Sequence, residues 1–164
     1  MVWILIVALL LSADQLLKAL VTTGIPQTGV KVVIEGFFVL VNRTNTGGAW
    51  SLFANQHWGL LILSIISAVA SVVIILLMIR IHNTRIRACL ALILSGSAGN
   101  LIDRVFYSGV TDYLNFHFGN YEFPTFNLAD MLIVCGTIVL ILLLLLHPEW
   151  LVSGSERRHP IDPE

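Results

Sequence analysis

The stretch 58–79 carries no charged residue, and its only hydroxyl side chains are Ser64, Ser67 and Ser71. About 20 consecutive apolar residues in helical form match the hydrocarbon thickness of a bilayer, where every backbone group must be satisfied internally. Three further stretches, at 2–21, 87–106 and 127–147, are of similar length and mainly apolar, though each carries charged residues. With 57% of the 164 residues hydrophobic and only 12% charged, a water-soluble domain of this size could not bury its apolar surface. The pattern predicts an all-α membrane four-helix bundle. A net charge of −1 offers no basic stripe for nucleic acid.

The first apolar run lacks the basic n-region of a cleavable signal peptide, and it continues through Asp14 and Lys18, so it reads as a retained helix. Cys89 and Cys135 both lie inside apolar runs and read as small buried hydrophobes, with neither a disulfide nor a metal. Arg80, Arg85 and Arg87 between the second and third spans, with Arg157 and Arg158 in the tail, place both termini on the cytoplasmic side. The connection 22–56 is too long for a simple link. Its segment 30–41 is rich in β-branched and aromatic residues and is broken at Gly36, which predicts a small β-rich outer segment resting on the bilayer. One domain over 1–150 and a polar tail at 151–164 complete the organisation.

Ionisable groups within spans are costly and mark functional sites by default. Asp14 and Lys18 fall near the outward end of the first span, Asn100, Asp103 and Arg104 at the outward end of the third, and Asn127 and Asp130 at the start of the fourth. Alternating passes bring all three groups to one membrane face. Within each group the spacing is three or four residues, which is one helical face. Asp14 with Lys18, and Asp103 with Arg104, read as local ion pairs. On that reading, Arg104→Ala would strand Asp103. Asp112, in the second outer connection 107–125, and Asp130 have no neighbouring base.

Two carboxylates in a poorly solvated site share a proton: one can activate water while the other polarises a carbonyl. Asp130, at a helix N-terminus, is expected to be the readier to ionise. Other hydrolytic devices are missing from the sequence. His57, His82, His117, His147 and His159 are scattered without a zinc-binding spacing, so no metal and no cofactor are expected. Gly96 and Gly99 frame a Ser97 that has no histidine at its depth, and they read as helix-packing positions.

These motifs resemble those of the lipoprotein signal peptidases (signal peptidase II, an aspartyl membrane peptidase family) over nearly the whole chain to His147. D-Q-x-x-K appears as Asp14, Gln15 and Lys18; N-T-G-x-x-[FW]-S as Asn45, Thr46, Gly47, then Trp50 and Ser51. G-x-x-G-N-x-x-D-R appears as Gly96, Gly99, Asn100, Asp103 and Arg104. The V-x-D-[FY] segment after Gly109 appears as Val110, Thr111, Asp112 and Tyr113, and F-N-x-A-D closes the set as Phe126, Asn127, Ala129 and Asp130. Gly48 stands where alanine is commoner, a departure that bears on substrate preference. The resemblance implies a catalytic pair of Asp112 and Asp130. It implies that Asp14, Lys18, Asn45, Asn100, Asp103, Arg104 and Asn127 line or brace the site. The implied reaction removes the signal peptide from diacylglyceryl-modified prolipoproteins, before the lipidated cysteine, at the outer face of a bacterial cytoplasmic membrane. Membrane lipid and a globomycin-type inhibitor are the other implied partners, the β-rich segment is expected to form a cradle, and a monomer is expected.

Two other readings use the same residues. A small transporter or proton relay would need polar steps through the full membrane thickness, whereas the inner halves of the second and fourth spans are almost purely apolar. A catalytically silent scaffold would hold Asp112 and Asp130 far apart, with no cleft between them.

Overall fold

The computed structural model describes residues 2–48, 56 and 58–148. Trp50, Ser51, His57 and the tail 151–164 lie outside the described residues. Among the described residues, four helices are long and apolar enough to cross a membrane: α1 (Val2–Gly24), α2 (Gly59–Arg80), α3 (Thr84–Tyr107) and α4 (Leu128–Leu146). Strands β1 (Val30–Ile34) and β2 (Phe38–Asn45) follow α1, and β3 (Val110–Phe118) and β4 (Tyr121–Glu122) follow α3. They form one antiparallel sheet in the order β1-β2-β3-β4.

Helix α3 is the shared partner of the other three, and α1 and α4 touch each other only slightly. Its composition explains the position. It is the least apolar of the four spans, yet 56% of its most hydropathic window is buried, against 17% or less for the others. Polar residues in lipid are tolerable only when turned toward protein. Small residues let the neighbours close in. A side chain at Gly96 would collide with the Ala129 carbonyl oxygen of α4, and one at Gly99 would meet an Asp14 carboxylate oxygen at 2.5 Å. Gly136 does the same from α4, against Ile93 and the Cys89 carbonyl of α3.

Cys89 is buried as expected, but Cys135 is exposed on the outer surface of α4. An apolar run bounded by lipid has no interior side that composition alone can identify, so this cysteine packs toward the solvent that suits it. Asn83 caps α3 by accepting from the Arg85 and Ile86 amides, and Ser108 ends it in the left-handed region. Gly36, at φ +70°, makes the turn between β1 and β2.

Two apolar clusters separate the ends of the molecule. Ile74, Ile86, Leu90 and Leu94 pack together near the α2–α3 turn. Val21, Ile25 and Tyr113 join the end of α1 to the sheet. The polar residues collect between them.

Candidate active site

The outer connection that carries Asp112 is built into the sheet: Asp112 lies in β3, hydrogen-bonded to β2 with Arg43 opposite Asp112 and Asn45 opposite Val110. Phe126 then bridges back to Leu114, and its carbonyl accepts from the Tyr113 and Leu114 amides. This turn delivers Asn127 and the start of α4 directly beside β3. The buried Tyr113 adds a second tie, its hydroxyl oxygen accepting from the Leu128 amide. Burial pushes the phenol up to about 12.

The polar residues form two linked groups. In the first, the Lys18 ammonium lies 2.8 Å from Asp14 and 3.0 Å from Asp103, and it donates to Asn100 Oδ1 at 3.2 Å. The second acid is a correction. Asp103 was expected to pair with the adjacent Arg104, but consecutive helical residues point about 100° apart. Asp103 faces α1, and Arg104 faces the other side, donating to the Asn100 and Gly47 carbonyl oxygens at 3.4 and 3.5 Å. Both acids are fully engaged. Asp14 Oδ1 accepts from the Ala129 amide at 3.0 Å; Asp103 accepts from Gln15 at 2.9 Å and from the Thr111 amide at 3.1 Å. One cation thus joins two helices, while its acids reach α4 and β3.

The second group centres on Asn127. Its side-chain oxygen accepts from the Asp130 amide, and Asp130 Oδ2 accepts from the Asn127 amide, a reciprocal cap on α4. The Asn127 side-chain nitrogen donates to Asp112 Oδ1 at 2.8 Å and to Asn100 Oδ1 at 3.3 Å. Asn100 donates in turn to Asp130 Oδ1 at 2.8 Å, and Asn45 donates to Asp112 Oδ2 at 3.1 Å. Neither carboxylate has an ion-pair partner among the described residues. Asp112 is only 4% exposed. Burial, reinforced by the charge of Asp130, pushes its carboxyl up to about 7.

Asp112 and Asp130 line one cleft of about 420 Å³. Asn45, Gly48, Asn100 and Arg104 share its polar end, while Leu63, Ile133 and Val134 extend it along the spans. Arg104 Nε is buried there without a hydrogen-bond partner among the described residues. Asp14, Lys18, Asp103 and Asn127 do not line this cleft; they lie behind it. Gln15, the uncharged member of the D-Q-x-x-K motif, holds Asp103 in place. Thr111 contributes through its backbone amide, which no side-chain pattern could have announced. Among the described residues, no cluster of His, Cys, Asp and Glu is arranged to hold a metal ion.

The sequence matches the family described as Signal peptidase (SPase) II over residues 6–146. A lipoprotein signal peptidase of Francisella tularensis subsp. novicida is 41% identical, covering 81% of this chain and 84% of its own length. That of Bacillus pumilus is 34% identical, covering 89% and 94%. A solved bacterial membrane enzyme superposes with a TM-score of 0.81 at 25% identity, covering 97% of this chain and 94% of that one. A second superposes with a TM-score of 0.77 at 27% identity, covering 88% and 92%.

Proposed function

The chain belongs to the signal peptidase II family, and from that premise we propose that it is an aspartic endopeptidase of the bacterial cytoplasmic membrane, with Asp112 and Asp130 as its catalytic pair. Its substrate is a diacylglyceryl-modified prolipoprotein, cut before the lipidated cysteine. The observation that carries the reading is the convergence of two carboxylates, unpaired by any cation among the described residues, on the amide network of Asn127 and Asn100 at the head of one cleft.

The two acids divide the work. Asp112, with its carboxyl held near 7, carries the proton and donates a hydrogen bond to the scissile carbonyl oxygen. Asp130, at the N-terminus of α4 with N–H donors on both oxygens, acts as the base. It takes a proton from water as the water oxygen bonds to the carbonyl carbon. The resulting tetrahedral centre collapses: the proton held by Asp130 passes to the departing nitrogen, the C–N bond breaks, and the carbonyl re-forms. Arg104, Asn45 and Asn100 orient the substrate at the polar end of the cleft. The signal helix lies along its apolar extension, and the acyl chains remain in lipid. Asp14, Lys18 and Asp103 brace the wall behind.

The four helices form a bundle around α3, in a single domain with both termini cytoplasmic and the sheet as an outer cradle. The protein works as a monomer, and a globomycin-type cyclic peptide occupies the same cleft. The decisive experiment is cleavage of a purified diacylglyceryl-modified prolipoprotein by the wild type, Asp112→Asn and Asp130→Asn. Cleavage before the lipidated cysteine, lost in both variants, supports the activity and the pair together. Persistent cleavage in either variant overturns the pair, and a folded wild type inert toward the substrate overturns the activity.

A further inference from the structure

A second cavity opens on the opposite side of α4 from the catalytic cleft. It lies in the seam left by the slight contact of α1 with α4, roofed by the sheet, and measures about 520 Å³. Its walls are apolar: Leu17 and Leu20 of α1, Met131 of α4, and Leu40 and Leu114 of the sheet. Leu17, Leu20 and Met131 are exposed, so the groove is continuous with the lipid-facing surface of the spans.

Among the described residues, one cation lines this groove. Lys31 lies opposite Leu40 in the β1–β2 register, and Leu40 lies opposite Leu114 in the β2–β3 register. Residues directly opposite one another across antiparallel strands share a sheet face, so Lys31 extends an apolar row that ends against the core of α1. No side-chain hydrogen bond or ion pair engages the Lys31 ammonium among the described residues. An ammonium at the mouth of an apolar groove, at the sheet end of the spans, has the chemistry of a phospholipid site: acyl chain inside, anionic phosphate outside.

We propose that the α1–α4–sheet groove binds a membrane phospholipid, with an acyl chain against Leu20, Leu40 and Met131 and its anionic headgroup on Lys31. This groove shares no lining residue with the catalytic cleft, which separates the two sites. The floor of the groove includes Tyr113 and Leu128, the sequence neighbours of Asp112 and Asn127 and the pair joined by the Leu128 amide–Tyr113 hydroxyl bond. A bound lipid therefore packs against the contact that holds β3 to the start of α4. The inference goes beyond the peptidase reading and does not rest on it.

The test uses the full-length protein with the photo-crosslinking residue p-benzoylphenylalanine at Leu20, in lipid nanodiscs of equal phosphatidylglycerol and phosphatidylcholine. Adducts are read by mass spectrometry. The wild-type background is expected to favour phosphatidylglycerol by about fivefold, the scale of one lysine at an anionic lipid surface. Lys31→Gln should bring the ratio near unity, and Lys31→Arg should keep it. Gly24→Phe should lower both adducts, because Gly24 lines the groove and a side chain there meets nothing within 4 Å. Equal adducts in the wild-type background, or an unchanged preference in Lys31→Gln, would overturn the proposal and leave Lys31 as a charge that guards the edge of the sheet against pairing. Undiminished adducts in Gly24→Phe would overturn the groove as the place where the lipid sits.

Discussion

Two pairs of aspartates lie side by side among the described residues, and they are treated in opposite ways. Asp14 and Asp103 share the Lys18 ammonium and accept backbone or side-chain N–H bonds besides. Asp112 and Asp130 share neutral amides, from Asn45, Asn100 and Asn127, with no salt bridge among the described residues. The first arrangement neutralises most of its charge and ties helices together. The second leaves a carboxyl of Asp112 near 7, able to gain or lose a proton at working pH. Residue type is the same in both, and only Asp130 is less than fully buried; the presence of one cation separates a braced pair from a pair left free to exchange protons.

The sharpest break in this comparison comes from removing charge on each side. Asp112→Asn and Asp130→Asn should lower cleavage by on the order of 10³-fold or more while leaving the protein folded in detergent, measured on the diacylglyceryl-modified substrate. Lys18→Met should do the reverse kind of damage. It strands two buried carboxylates, at a cost of about 3–5 kcal/mol, so accumulation in the membrane and thermal stability should both collapse. A well-folded Lys18→Met protein would show that the two sites differ less than their geometry implies.

Asn127→Ala probes the join between them. It removes the cap on α4 and the donor to Asp112, so stability should fall by about 1–2 kcal/mol. Cleavage should fall by about 10²-fold, because both acids lose their common support. Thermal melts and kinetics on the same preparation separate the two effects.

The raised carboxyl of Asp112 also has a stability signature. The folded protein holds this proton more tightly than the unfolded chain does, so the contribution is complete below the ordinary value of 3.8 and is lost as pH rises through about 7. Asp112→Asn carries no such loss. Its melting temperature should rise relative to wild type between pH 4 and 7 and hold that margin above. The same titration should make wild-type cleavage fall as pH climbs past about 7, because the proton that polarises the carbonyl is gone.

Arg104→Ala should have the smallest effect on stability, within about 1 kcal/mol by thermal melting, because Asp103 keeps Lys18 and the lost Arg104 bonds are long. A large destabilisation would restore the adjacent pairing of Asp103 with Arg104. Its effect on cleavage should be greater than its effect on folding, since the guanidinium lines the cleft.

What the sequence determined by itself is local or set by the membrane. Apolar length dictated four spans, because a bilayer accepts only helices that satisfy their own backbones. Helical period placed Asp14 beside Lys18, and alternating passes brought the polar ends to one face; the turn at Gly36 followed from residues that favour strands on either side of one that does not. The tertiary structure decided the partners. That Asp103 turns to Lys18 rather than Arg104, that Asp112 rides a strand, and that Asn127 joins the two acids all depend on how far each helix is rotated and how deep it sits. Period along a chain specifies a face but not the neighbour that face will meet, and here the glycines at 96, 99 and 136 set that distance by letting α1, α3 and α4 close together.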